Sequence, residues 1–555
     1  MKPALITFAV TSLCLLAIRS HAQNQPDQWH HLDPTTDKLI GISTQQAYQL
    51  LSNLPHKPTQ PIIVAVIDGG IDTNHDDLKA ILWHNPKEIA DNHKDDDGNG
   101  YTDDVFGWNF MGNPDGRNYV HDQKEETRLY ARLKPLYEGK NRENLPPRQL
   151  ADYTLWARVK PYFERKRAEA QTNYRQDSLY LAEDLANVQT LKKAFGVSRL
   201  DSALLHSPPT TDTTLHKLAG RYYRGLTQMK LGTTDSLLAR YTRYNAELKA
   251  RVDYAYNLEA NERALVGDKA GEFSQRHYGN ANLTSPLDGH GTFHGSHVAG
   301  IIAADRTNKL GVNGIADQVR ILSVRCIPDG DERDKDVANA IRYAVDNGAQ
   351  IINMSFGKYF SPDKALVDEA MRYADKKGVL LVHAAGNDHL NLDSTMEYPS
   401  PMYLNSQPIA NLITVGASGR TDDSSLVAGF SNYSSSMVDV FAPGFDIWSC
   451  GPANTYRPAS GTSMATPMVA GIAAVLKTYF PGLRAADLKR IILQSAVVYH
   501  TPVLKPGTKQ KVDFASLSKT GAIVNLYEAV KLALSEAQKN KGMTRRRLQA
   551  KFDKY

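Results

Sequence analysis

Several stretches of this chain are rich in β-branched and other apolar residues and stop at glycine or a polar group. They are "PIIVAVIDGG" (Pro61–Gly70), "VRILSVRCI", "AQIINMSFG", "GVLLVHAAGN" and "NLITVGAS". A strand with one wet face alternates apolar and polar residues, whereas a strand covered on both faces reads as a near-continuous apolar run. Helical stretches such as "DKDVANAIRYAVDNG" and "DKALVDEAMRYADKKG" lie between them. The alternation predicts an α/β fold, a parallel sheet covered by helices on both faces. A length of 555 residues admits a large core, either as several domains or as one α/β domain with an insertion. The formal charge of +5 is too weak over this length to imply a nucleic-acid partner.

Residues 1–22 join Lys2 to an apolar run from Ala4 to about Ile18, and then to Ser20, His21 and Ala22 ahead of Gln23. This is the pattern of a cleavable signal peptide, predicting an exported protein, secreted or periplasmic. The alternatives are weaker. A membrane anchor needs about 20 apolar residues, and lipid attachment at Cys14 meets a bulky Leu13 where a small residue is usual. No later segment is apolar enough to span a membrane. Cys326 and Cys450 remain after the signal and either form one disulfide or stay as two buried thiols.

Beyond the signal, residues 23–60 form an arm around Trp29, and 61–118 form the first part of the α/β domain. Residues 119–280 read as an all-helical insertion, 281–536 as the second part of the α/β domain, and 537–555 as a basic tail, a frayed helix at best. In the insertion glycine is scarce, and Leu181, Leu185, Val188 and Phe195 keep a helical face, as do Tyr241, Tyr244, Leu248, Val252 and Ala255. "HSPPTTDTT" breaks the helices near the middle. The insertion carries about seven more basic than acidic side chains and about half of the tyrosines. It is either a solvated spacer or a docking surface for a substrate or protein partner.

Four blocks with unusual small-residue content follow one another in the α/β part: "VAVIDGGID", "HGSHVAGII", "HAAGND" and "SGTSMATPMVAG". They supply Asp68, a histidine, Asn387 and Ser463. A hydroxyl is a poor nucleophile until an oriented base takes its proton, and an acyl-transfer intermediate needs donors aimed at its oxyanion. Asp68 ends a strand, at the sheet edge where catalytic groups collect. Gly461 permits close approach, and Pro467 is tolerated only in the first turn of a helix, so Ser463 opens that helix at its positive end.

These blocks resemble the subtilisin-like serine peptidases, the subtilase family, over about Pro61–Gly112 and Ser285–Leu534, in the family's chain order. The resemblance implies a secreted serine endopeptidase working through an acyl-enzyme on Ser463, with no cofactor for catalysis. It makes Asp68 the orienting carboxylate, His294 the general base and Asn387 the oxyanion donor. His294 is the first histidine of "HGSHVAG"; His297 then looks structural, and His290 lies in a decoy "HGT". Ser355, Phe356 and Gly357 would form one wall of the primary pocket, with Ala384, Ala385 and Gly386 opposite, and polypeptide substrates would bind in extended conformation.

"DDDGNGYTDD" crowds Asp95, Asp97, Asn99, Asp103 and Asp104 around two glycines, which suits a structural calcium ion. The loop starts like an EF-hand but has no glutamate at the twelfth position. Other departures concern the resemblance itself. Gly69 stands where the family commonly has Thr or Ser, with the expected loss of one supporting hydrogen bond. Ser296 replaces Thr. Roughly 225 residues separate Asp68 from His294, so the insertion must leave and re-enter the α/β domain at nearby points. The chain ahead of Asp68 is too short for the folding-assistant propeptide of many subtilases, which leaves the insertion as its candidate replacement. A non-catalytic binding protein, or an esterase or peptide ligase on the same machinery, are the rival readings.

Overall fold

In the computed structural model, which describes residues 27–54, 58, 60–269, 271–284 and 290–552, the first strong run forms β1 (Ile62–Asp68). Its side chains serve two cores. Val64 and Val66 enter one apolar cluster, and Ala65 and Ile67 enter another on the opposite face. This explains why the run has no polar alternation. β2 (Gly107–Asn109), β3 (Val319–Arg325), β4 (Ile351–Met354), β5 (Leu380–Ala384), β6 (Leu412–Ser418) and β7 (Val440–Pro443) join it in the order β7-β6-β5-β4-β1-β3-β2, all parallel. After β7 come two hairpins, β8 (Ile447–Gly451) with β9 (Thr455–Ala459) and β11 (Pro502–Leu504) with β12 (Lys511–Asp513). β10 (Val497–Val498) and β13 (Ala522–Ile523) close the far edge, where β10 alone runs antiparallel to its neighbour. The α/β expectation is met.

Register decides what this sheet can position. Asp68 pairs with Arg325, Met354 with His383 and Ala384 with Val415, so β1, β3, β4 and β5 end close together at one carboxyl edge. The winding of the chain across the sheet reverses there, since β3 lies on one side of β1 and β4 on the other. Such a switch point opens a crevice.

Twelve helices are described, of which α1 (Thr44–Ser52) lies in the arm. α2 (Glu125–Tyr137), α3 (Leu150–Phe195), α4 (Ser202–His206), α5 (Thr213–Gln228) and α6 (Thr234–Ala250) follow β2, and α6 runs on into a π-helical turn at Arg251–Ala255. On the Val64 face sit α7 (His290–Ala303), α10 (Thr462–Tyr479), α11 (Ala485–Gln494) and α12 (Leu526–Phe552). On the Ala65 face sit α8 (Asp334–Asp346) and α9 (Lys364–Lys376).

The helical segment leaves and returns at one place. Backbone groups of Asn109 and Asn280 exchange hydrogen bonds of 2.9 and 3.0 Å, so a long excursion closes beside β2. "HSPPTTDTT" does break the helices: α4 ends at His206, and the Asp212 carboxylate caps α5 by accepting from the N–H groups of Thr214 and Leu215. The expected apolar faces are partly displaced. Leu185 and Tyr244 are 44% and 50% exposed. The buried stripe of α3 runs instead through Asp184, Val188 and Leu191, because the Tyr222 hydroxyl (2.7 Å) and Arg221 (3.0 Å) donate to the Asp184 carboxylate and turn that side inward.

Trp29 is fully buried, and its indole N–H donates to the Phe445 and Asp446 carbonyls, which ties the arm to the sheet domain. Cys326 and Cys450 are both free and belong to cores on opposite faces of the sheet, so they cannot pair. α12 carries the tail as regular helix through Phe552. Among the described residues no helix is long and apolar enough to cross a membrane. The signal-peptide reading of residues 1–22, with Cys14, lies outside the described residues.

Candidate functional site

Asp68 is the last residue of β1 and 3% exposed. One of its oxygens accepts from the Gly69 N–H at 2.7 Å, and the two oxygens lie 2.8 and 2.9 Å from His294 Nδ1. An ionised carboxylate can only accept, so Nδ1 carries the ring proton and Nε2 keeps its lone pair. Burial alone would lower the pKa of His294, but the charge and hydrogen bonds of Asp68 overcome it and hold the pKa above 6.5. His294 can approach because the next residue is Gly295, where a Cβ would lie 2.1 Å from the Gly70 carbonyl oxygen.

The other two histidines part company with it. His297 is fully buried, lies near the Arg457 carbonyl through Nε2 at 3.1 Å, and is kept neutral by desolvation, its pKa pushed down to about 3. It is a packing residue. His290 is the first residue of α7, and its side chain lies outside what is described.

Ser463 stands in the first turn of α10, where helical geometry leaves backbone N–H groups without helical partners. Its hydroxyl donates to the Ser355 carbonyl at 3.1 Å, and the Ser355 hydroxyl donates back to the Ser463 carbonyl at 3.0 Å. Asn387 follows Gly386 just past β5. Its side-chain oxygen accepts from the N–H and the hydroxyl of Thr462 at 2.8 and 3.0 Å, so its NH2 group points the other way. Thr462 is a positioning residue that sequence reasoning passed over, although it sits beside Ser463 in "GTS".

The two departures from the family pattern have structural answers. Ser296 accepts from the Asp72 N–H at 2.9 Å, as a threonine hydroxyl would. At Gly69 no side chain is present to hold the turn, but the fully buried Arg325, paired with Asp68 across β1 and β3, donates Nε–H to the Gly69 carbonyl at 2.9 Å.

Ser355, Phe356 and Gly357 extend from β4, and Ala384, Ala385 and Gly386 from the end of β5. Phe356 is 8% exposed and packs in the Ala65-side core, so it offers the crevice its backbone rather than its ring. Between Gly357 and Gly386 lies Glu397, a residue absent from the sequence-derived set. A Cβ on either glycine would fall 2.5 or 2.0 Å from a Glu397 carboxylate oxygen. No local pattern in "MEYPS" signals this, because the placement depends on two strand ends far away in sequence.

The acidic loop is organised differently from the expectation. Asp104 is fully buried and accepts from Tyr343 (2.7 Å), Asn85 (2.9 Å) and Asn99 (3.1 Å), while burial pushes its pKa up to about 6. Asp103 accepts from the backbone N–H groups of Asn92 and His93. Asn99 is committed to Asp104 and to the Tyr101 N–H. The oxygens that converge, within 4.8 Å of one another, belong to Asp95, Asp97 and Glu88; the last comes from a preceding turn and was not foreseen.

Comparison with known proteins gives the family. The family model described as the subtilase family matches residues 59–523. A thermophilic serine proteinase of Bacillus sp. (strain AK1) is 42% identical over 204 residues, 37% of this chain and 46% of that protein. Thermitase of Thermoactinomyces vulgaris is 38% identical over 216 residues, 39% of this chain and 70% of its own. Subtilisin BL of Lederbergia lenta is 36% identical over 214 residues, covering 38% and 72%. The matched region thus spans less than half of the first of these relatives and about 70% of the other two. With a family match over most of its length, the chain belongs to the subtilase family.

Proposed function

We propose that this protein is an exported serine endopeptidase acting through an acyl-enzyme on Ser463. The observation that carries the reading is the Asp68–His294 pair at 2.8 and 2.9 Å, at the carboxyl edge of the sheet to which the Ser463 hydroxyl is also tied through the Ser355 carbonyl past β4. In the reaction the Ser463 hydroxyl leaves the Ser355 carbonyl by rotating about its Cα–Cβ bond, attacks the scissile carbonyl and gives its proton to His294 Nε2. Asp68 keeps the ring oriented and stabilises the imidazolium. The Asn387 NH2 group and the Ser463 N–H receive the oxyanion, aided by the positive end of α10. His294 then protonates the leaving amine, and water, activated by the same histidine, frees the acid. The substrate backbone extends along Ser355–Gly357.

The test is labelling with a fluorophosphonate probe. Wild type and His290→Ala should label, while Ser463→Ala and His294→Ala should not. A folded wild type that does not label would remove the peptidase reading in favour of a binding protein. Ester and peptide substrates assayed side by side separate the esterase alternative. Export is supported by the pattern of residues 1–22 and is tested by whether the mature protein begins at Gln23.

Glu88, Asp95 and Asp97 are the residues that would hold a calcium ion. Three carboxylates this close repel one another, and a hard divalent cation would relieve that repulsion, stabilising the loop and taking no part in the reaction.

A further inference from the structure

We infer that Glu397 makes the pocket beside Ser463 a site for a lysine or arginine side chain, so that the enzyme cleaves after a basic residue. The inference deepens the endopeptidase reading above and rests on it.

Position comes first. Gly357 lies two residues past Ser355, whose carbonyl holds the Ser463 hydroxyl, and Gly386 immediately precedes Asn387. Both glycines abut the carboxylate, at the distances a Cβ would violate, so neither wall has a side chain screening Glu397 from the space between them. The primary pocket therefore has an acid at its base.

That acid lacks a counter-charge. Glu397 is 8% exposed and accepts a hydrogen bond from the Asn432 amide at 2.8 Å, while among the described residues no lysine, arginine or histidine lies within ion-pair distance. Lys358, next to Gly357, is committed to Glu125 and Asp334 at 2.9 Å each. The charges of Asp388, Glu332 and Asp331 add to desolvation in driving the Glu397 pKa well above the usual carboxylate range. A buried carboxylate in an acidic field is unfavourable by itself and is relieved by a cation.

There is room for one. Gly357 and Glu397 line a cavity of about 390 Å³ whose other walls include Asp388, Asp331 and, from the helical segment, Tyr162 and Tyr256. Lysines on its helical side already face carboxylates, Lys124 with Asp331 at 2.8 Å and Lys166 with Glu169 at 3.6 Å. An arginine or lysine side chain entering past Gly357 would deliver its charge to Glu397. An apolar side chain would leave the carboxyl group buried with Asn432 alone.

The experiment is a series of peptide substrates differing only in the residue before the scissile bond: Arg, Lys, Leu, Phe and Glu. Wild type is expected to show kcat/KM about tenfold or more higher for Arg and Lys than for the others, the discrimination a buried polar site imposes on a mismatched partner. Glu397→Gln, isosteric and able to keep the Asn432 contact, should lower the Arg-to-Leu ratio by about tenfold or more, with thermal unfolding reporting that the variant is folded. Should that variant not fold, the wild-type profile decides by itself. A wild-type preference for Leu, Phe or Glu, or an unchanged ratio in a folded Glu397→Gln, overturns the assignment. Fluorophosphonate labelling of Ser463 separates the two levels. Labelling with an apolar preference overturns this inference alone; absence of labelling in folded wild type overturns it together with the peptidase reading.

Discussion

In α10, 16 of 18 residues are buried, whereas in α3 the buried residues number 7 of 46. Both are single uninterrupted helices, yet they do different work. α10 packs against α7 and the sheet inside the larger core, so Ser463 has almost no freedom to move relative to Asp68 and Asn387. α3 is held by two small clusters. One joins Tyr130, Trp156 and Phe163 to Phe360, three residues beyond Gly357; the other, around Val188, Leu191, Tyr222 and Leu226, draws its members, among the described residues, from within the same segment. The helical segment is thus firm where it meets the crevice wall and independent at its far end. What the contrast teaches is that precision at this site comes from burial on all sides, and that a peripheral element can influence the site only through the patch at which it is docked.

The comparison can be broken most severely at the site itself. Ser463→Ala or His294→Ala should lower kcat by about 10⁶-fold, as the equivalent losses do in subtilisin, and Asp68→Asn by about 10⁴-fold, as in a chymotrypsin-type triad. Asn387→Ala should lower it about 10²- to 10³-fold. Peptide hydrolysis measures all four, and melting temperatures close to wild type would confirm that a rigid frame survives the loss of its chemistry.

A smaller effect is expected at the seam. Lys358 is 1% exposed in the side chain and bridges Glu125 of α2 and Asp334 of α8. Lys358→Met leaves two buried carboxylates short of a cation and should reduce unfolding stability by about 3–5 kcal/mol. Because Gly357 precedes it, kcat/KM should fall as well. Denaturant titration and steady-state kinetics give the two readings, and lost stability with untouched kinetics would argue that the seam does not reach the pocket.

The far cluster supplies the opposite case. Leu226→Ala should destabilise the helices by about 2–5 kcal/mol, visible as faster hydrogen exchange in α5 and α3, while kcat/KM stays within about twofold of wild type. An equal fall in rate would erase the distinction between the two ends of the segment.

Two finer tests follow. In the proposed mechanism His294 acts as the neutral base, and Asp68 holds its pKa above 6.5, so kcat/KM should rise with pH and reach half its plateau above that value. Stability runs the other way for this residue: the raised pKa contributes stability that is fully present below 6.5 and is lost as pH rises through the folded-state value. Thermal melts of wild type and His294→Ala across that range would expose the difference. If Glu88, Asp95 and Asp97 hold calcium, adding it at about 100 times Kd should stabilise the fold by about 2.7 kcal/mol. Glu88→Gln should abolish that gain, and a melt indifferent to both calcium and chelator would remove the ion.

Much of this was readable from local chemistry. An apolar run such as Ile62–Ile67 can only be satisfied between two layers of helices. The first-turn reading of Pro467 is corrected: the helix opens at Thr462 and Pro467 is its sixth residue, where its missing N–H leaves the Ser463 carbonyl to the Ser355 hydroxyl. The face of α3 was misread because a buried Asp184, held by Tyr222, competes with Leu185 for the inside, and periodicity counts only apolar residues. The acidic loop was read as one cluster, whereas Asp104 is drawn away to Tyr343, a residue some 239 positions distant.

The sequence by itself determined the α/β layering, the candidate chemistry of Asp68, His294, Asn387 and Ser463, and the helical character of the long segment between the first two, since each depends on neighbours within a few turns or on a short pattern. Tertiary structure alone decided that Asn109 and Asn280 meet, that Cys326 and Cys450 lie on opposite faces of the sheet, and that Glu397 sits between Gly357 and Gly386. Those outcomes depend on strand register and on which layer a residue faces, and both are set by packing among parts of the chain that carry no record of one another in their local sequence.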